Sequence, residues 1–494
     1  MIRATRKSNV QLSALNTSFY AEYRIRSGAV TLLREDVESP PEALLQSIWQ
    51  HQRLRRDQLQ LLDGDQVRIL HPGFKSLEGG PDFRGAVIQI GEGPILSGDI
   101  EVDLRSGGWR AHGHDRNPAF KNVILHAVWE SERPAPGGPP LLLLKPVLDA
   151  PLGELSLWLG SDAAQDLPEE FQGKCCAPLK GLSEDRVREL LHQAAHIRLR
   201  SKASLLQARA REAGWDQALW EGLFRALGYK HNVWAMQRLG ELRTRWRGTD
   251  DVLTDDQLLP LEARLFGIGG LLPAELTRTQ PGSDRYLRRI WDLWWRERDA
   301  FSDCLLPKAL WRMHGLRPAN HPHRRLALAS RWTVQPDLPR DLERWCAKQI
   351  RENQLESTLL QALEVPPDDY WNWHYTLRSP RLKRPQPLLG ATRATDLAIN
   401  VVLPWLWIRA GEGHNGVLQE RVENRYFAWP SAEDNSLLRL ARQRLLGGGR
   451  QTALKGAAAQ QGLIQMIRDF CEHTNSLCDD CKLPGLVAAF AAEK

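Results

Sequence analysis

The chain has 494 residues, with 66 Lys and Arg against 60 Asp and Glu, and a formal charge of +6. Hydrophobic residues make up 42%, enough for large cores, and Gly (38) and Pro (30) stand near their average share, which excludes disordered, collagen-like and linker-dominated chains. No apolar run approaches the roughly 20 residues that span a bilayer, the N-terminus carries Arg3, Arg6 and Lys7 without a signal peptide's apolar stretch, and seven cysteines are too few for a disulfide scaffold; the expectation is a cytoplasmic protein with no membrane partner.

Residues 1–38 read as an N-terminal tail. Pro40-Pro41-Glu42, followed by Ala43, Leu44, Leu45, Ile48 and Trp49, marks a helix start with one apolar stripe. Short strand-like runs follow at Gln66–Leu70, Ala86–Ile90, Gly98–Arg105, Asn122–Trp129 and Leu141–Val147, punctuated by Gly and Pro. These place an α/β domain over residues 39–150. A connector, 151–182, leads to Ser183-Glu184-Asp185, which opens a long helix; residues 183–494 read as one helical domain. The fold class is therefore α+β, a mixed sheet followed by helices.

The densest chemistry lies at Gly80-Pro81-Asp82-Phe83 and Gly98-Asp99-Ile100-Glu101-Val102-Asp103-Leu104-Arg105. Side chains alternate along a strand, so Glu101, Asp103 and Arg105 share one face while Ile100, Val102 and Leu104 face a core. Asp82, at the mouth of the preceding strand, can approach the acidic face. Such hard oxygen donors suit Mg²⁺ or Mn²⁺; the spacing equally fits an ordinary half-exposed strand after an ordinary turn. His112-Gly113-His114 follows in a glycine-rich loop and offers two imidazoles for a metal, a phosphate or proton transfer, or two exposed loop histidines. His126 shares a face with Ile124 and Val128 and reads as a core histidine.

Two further groups stand out. Cys471, Cys478 and Cys481, spaced C-x6-C-x2-C, with Cys176 or Cys175 as a distant fourth ligand and His473 as a weaker one, suit zinc or an iron–sulfur cluster of structural role. The loop holding Arg317, Asn320, His323, Arg324 and Arg325 precedes an apolar helix and is the strongest candidate for phosphate contact. Arg residues interleaved with some of the 19 Trp, as around Trp220, Trp246 and Trp294, suit either stacking on nucleic acid or an ordinary helix surface over a core.

Pro81-Asp82 followed by Glu101-Val102-Asp103 resembles the PD-(D/E)XK nuclease signature. That resemblance implies a restriction-endonuclease-like sheet in which Asp82 and Glu101 hold the ion, Glu42 adds an acid from the first helix, and nucleic acid (DNA or RNA) is the substrate. The sequence departs from the signature at Asp103, which stands where a Lys belongs. Arg105 can meet a phosphate but cannot serve as a base, because guanidinium does not deprotonate in proteins. Over nearly its full length the chain also resembles a bacterial family, domain of unknown function 2851, through His71-Pro72-Gly73, Gly80–Phe83, Glu101–Arg105, Trp109, His112–His114, Asn122–His126, Arg317–Asn320 and the terminal cysteines. Three functions are expected: a metal-dependent nuclease, an inactive nucleic-acid binder with a degenerate nuclease domain, or a metal-stapled structural or partner-binding protein.

Overall fold

The computed structural model describes residues 18–27, 40–76, 80–131, 138–152, 155, 176–229, 231–248, 257–276, 284–313, 316–335, 337–433, 436–446, 455–471 and 481–493. The class is α+β, with a mixed sheet followed by a large helical region. By contacts the chain forms two compact units: residues 1–37, 152–201 and 433–494 in one, and 38–151 with 202–432 in the other. Residues 183–494, expected as one helical domain, thus contribute to both.

The first unit joins described segments from early and late in the chain. Helix α1 (Phe19–Arg26) is capped by the Ser18 hydroxyl, which accepts from the Ala21 N–H. Tyr20 joins Leu190, Leu463, Phe470, Leu486 and Phe490 in an apolar core. Within that core Asp469, 1% exposed, accepts from the Tyr20 hydroxyl at 2.8 Å and from Arg24 Nε at 2.8 Å. Gln465 Nε2 donates to it at 3.0 Å.

The second unit holds the sheet. Helix α2 (Glu42–His51) buries Leu44, Leu45, Ile48 and Trp49, and Trp49 Nε1 donates to the Pro72 carbonyl at 2.9 Å. Strands β1 (Val67–His71), β2 (Phe74–Lys75), β3 (Phe83–Ile90), β4 (Ile95–Arg105), β5 (Val123–Glu130) and β6 (Leu141–Leu143) form one sheet of order β1-β3-β4-β5-β6, with β2 beside β3. β1, β2 and β4 run antiparallel to β3, whereas β4, β5 and β6 are parallel. Ion pairs join this sheet region to helices of the same unit, Arg56 Nε to Glu241 at 2.9 Å among them. Within those helices Arg331 lies between Glu262 (2.5 Å) and Asp368, with side chains 5% and 1% exposed for Arg331 and Glu262. Tyr286 donates to the second Glu262 oxygen. Among the described residues no helix is long and apolar enough to cross a membrane.

His71 closes β1. Its Nδ1 accepts from the Gly73 N–H at 3.0 Å, its ring lies 4.7 Å from that of Phe74, and burial pulls its pKa down to about 4. The unfolded chain takes up a proton near pH 6.5 that the folded chain refuses until about 4. Stability present above pH 6.5 is therefore lost as pH falls toward 4, by about 2 kcal/mol between pH 7 and 5. His71→Asn keeps an acceptor for Gly73 without titrating, so urea unfolding at the two pH values should show a smaller acid loss.

A carboxylate and histidine cluster on the central strand

The alternation along β4 holds. Ile100 and Val102 are fully buried on one side; Glu101 and Asp103, 6% and 4% exposed, lie on the other. Pairing of Phe83 with Ile100 brings Asp82 opposite Glu101. The Asp82 N–H donates to Glu101 Oε2 at 3.1 Å, and Asp82 Oδ2 accepts from the Val102 N–H at 3.0 Å. From α2, Gln46 Nε2 donates to Asp82 Oδ1 at 2.8 Å and to Glu42 Oε1, one turn earlier, at 3.3 Å. Each Asp82 oxygen is thus held by a donor from a different element.

The histidines, expected in a glycine-rich loop, arrive through a tight turn. Helix α3 (Gly108–Ala111) ends where the Gly113 N–H bonds to the Arg110 carbonyl and the His114 N–H to that of Trp109, a Schellman closure. Gly113 takes φ +72°, which only glycine adopts at little cost. The turn aims both imidazoles back at β4: His112 Nδ1 lies 3.8 Å from Asp103 Oδ1, and His114 Nδ1 lies 3.5 Å from Glu101 Oε1. Phe120 stacks on the His114 ring at 3.9 Å. His126, 1% exposed, meets Asp103 Oδ2 through Nε2 at 2.9 Å. It is a core histidine by burial, as expected, but its partner is the cluster, a link that the sequence reading did not make.

The electrostatics are one-sided. Burial, reinforced by Asp82, Asp103 and Glu42, pushes Glu101 up to about 8. Asp82 rises to about 6, again mainly through burial; the Val102 N–H and Lys75 oppose the rise, and Glu42 and Asp103 add to it. Glu42 is raised by burial and by Asp103. Burial lowers His114, against the pull of Asp103. Three further carboxylates crowd the buried Glu101 carboxyl, so at neutral pH it holds a proton unless a cation takes that place.

The structure therefore gathers Glu42, Asp82, Glu101, Asp103, His112 and His114. Arg105 is exposed at the end of β4, with no hydrogen bond or ion pair to the cluster. Gln46 was missed, although its place four residues after Glu42 puts both on one helix face.

The remaining candidates lie elsewhere. Arg317 is exposed, but Arg324 and Arg325 are buried, contrary to the phosphate-contact surface expected of this loop. Arg324 donates to the carbonyls of Trp371, His374, Gln386 and Pro387; Arg325 donates to Leu388 O and Asn320 Oδ1, which also accepts from Arg393. His323 Nδ1 accepts from the Leu377 N–H at 3.2 Å. These side chains fasten a long loop to a helix. Trp220, Trp246 and Trp294 are likewise buried. Cys176 and Cys471 are buried, and Cys481 is half-buried against the core that contains Cys471. Cys175, Cys478 and His473 lie outside the described residues.

No curated protein and no solved structure matches the chain. A family model does, over residues 42–436, which include the whole sheet and every member of the cluster. The chain belongs to that family, the proteins of unknown function DUF2851.

Proposed function

We propose that this chain is a divalent-metal-dependent phosphodiesterase of the PD-(D/E)XK kind, acting on DNA or RNA. The observation that carries the reading is the convergence of Glu42, Asp82, Glu101 and Asp103, from one helix and two strand segments, around the buried Glu101 carboxyl. Asp82 and Glu101 would hold Mg²⁺ or Mn²⁺, which there would acidify a bound water and neutralise charge on a phosphate. The chain's own part is orientation. Gln46 and the Val102 N–H fix the Asp82 carboxylate, and the Asp82 N–H fixes Glu101, so the donor atoms are set before any ion arrives. Arg105, exposed at the strand end, would meet the phosphate. Zinc or an iron–sulfur cluster on Cys176, Cys471, Cys478 and Cys481 is a separate, structural part of the proposal.

One observation favours a second reading. Asp103 occupies the Lys position of the signature, so β4 offers no ammonium beside the acids, as in an inactive nucleic-acid binder. Incubation with single- and double-stranded DNA and RNA separates the two. Cleavage is expected with Mn²⁺ or Mg²⁺, none with chelator, and a loss of about 10³-fold in Asp82→Asn, the size of several kcal/mol of transition-state stabilisation. Salt-sensitive binding without cleavage under either metal would favour the inactive binder. Absence of both would leave the structural or partner-binding role.

A further inference from the structure

We propose that Asp103, His112 and His114 form a second metal centre, selective for a divalent transition ion over Mg²⁺, beside the Asp82–Glu101 oxygens. One ligand atom from each of the three lies within 4.8 Å of those of the other two. Ligands bound at about 2.1 Å lie roughly 3–3.5 Å from one another, so the 3.8 Å between His112 Nδ1 and Asp103 Oδ1 needs only a small inward movement. Two imidazoles and one carboxylate suit Mn²⁺, Fe²⁺, Co²⁺ or Zn²⁺, whereas Mg²⁺ prefers oxygen alone.

A second observation points to the same ion. The His114 side chain is 10% exposed, and its Nδ1 is buried with no hydrogen-bond partner. A buried ring nitrogen so left costs about 1–3 kcal/mol unless something accepts its lone pair or its proton. Its near neighbour is Glu101 Oε1 at 3.5 Å, beyond a good hydrogen bond.

The support around the triad is that of a ligand set. Asp103 Oδ2 is engaged by His126, which leaves Oδ1 toward His112. Gly108 makes room for the carboxylate: a Cβ there would stand 3.1 Å from Asp103 Cγ and Oδ2. His112, 57% exposed, gives an ion access from solvent, and three protein ligands leave positions open for water or substrate. The inference deepens the nuclease reading by restoring a positive charge where the signature's Lys is replaced by Asp103, yet it depends on metal binding and not on cleavage.

The test is Co²⁺ binding to the full chain under saturating Mg²⁺, followed by visible absorption and equilibrium dialysis. Thiolate-bound Co²⁺ is counted separately through its charge-transfer band in the near ultraviolet. The wild type should bind one Co²⁺ with the weak d–d bands of nitrogen and oxygen ligands. His112→Ala, at an exposed position, and His114→Phe, which keeps the stack on Phe120, should each weaken that binding tenfold or more, while Asp82→Asn retains it. Wild type without such a Co²⁺, displacement of the ion by Mg²⁺, or binding unchanged in both histidine variants would overturn the second centre. Co²⁺ bound as described in a protein that cuts no substrate would overturn the nuclease reading and leave this one standing.

Discussion

Glu101→Gln should raise the unfolding temperature of the metal-free protein and, in the same molecule, end metal-dependent cleavage. The folded chain holds the Glu101 proton up to about pH 8, while the ordinary value for an unfolded glutamate is 4.5. Between those values the folded state binds more protons than the unfolded one, so stability falls as pH rises from 4.5 toward 8. At neutral pH the cost is on the order of 2 kcal/mol, after allowance for solvent near the carboxyl. Glutamine removes that cost and still accepts from the Asp82 N–H. Its gain in chelator should be small at pH 5 and large at pH 8. Mg²⁺, which prefers the oxygen ligands of this site and binds only the folded state, should raise the wild-type melting temperature and leave the variant's unchanged. A variant less stable than wild type at both pH values, or one still stabilised by Mg²⁺, would remove Glu101 from the metal site.

Arg331→Met should destabilise the protein by about 3–5 kcal/mol, the usual consequence of removing one member of a buried ion pair. Arg331 neutralises Glu262 and Asp368 together, and Glu262 is 1% exposed. Tyr286 and Ser330 donate to Glu262 as hydroxyls and bring no charge of their own. Burial already raises the Glu262 pKa, and Arg331 and the Tyr286 hydroxyl hold it down. Without the guanidinium the carboxyl takes a proton on folding, so the loss should grow as pH rises. Equilibrium unfolding in urea at pH 6 and pH 8 measures both the size and the slope; equal losses at the two values would mean that Glu262 stays charged.

Much of the sheet region was legible because its signals are local. Pro40-Pro41-Glu42 marks the start of α2, and alternation alone separates Ile100 and Val102 from Glu101 and Asp103 on β4. The two-residue β2, directly after Pro72-Gly73, is too short to leave a pattern. The cluster was half legible. Which strand lies beside β4 is a property of the topology, so the sequence placed His126 in a core without revealing that parallel pairing with β5 brings it to Asp103. The arginine loop misled for a related reason. A count of guanidiniums says nothing about acceptors, and the carbonyls that bury Arg324 come from residues 47 to 63 positions further along. Gly113 was noticed as a glycine, but its use as a helix cap depends on α3, a single turn that has no periodicity to detect.

The arrangement around Asp469 bears on how this chain tolerates shortening. The family match begins at residue 42, so a chain trimmed there would lose Tyr20 and Arg24 but keep Asp469 in its apolar surroundings, with the amide of Gln465 beside it. Deleting the amino end alone would therefore strand an anion in oil, and the carboxy-terminal helices would be the first to loosen.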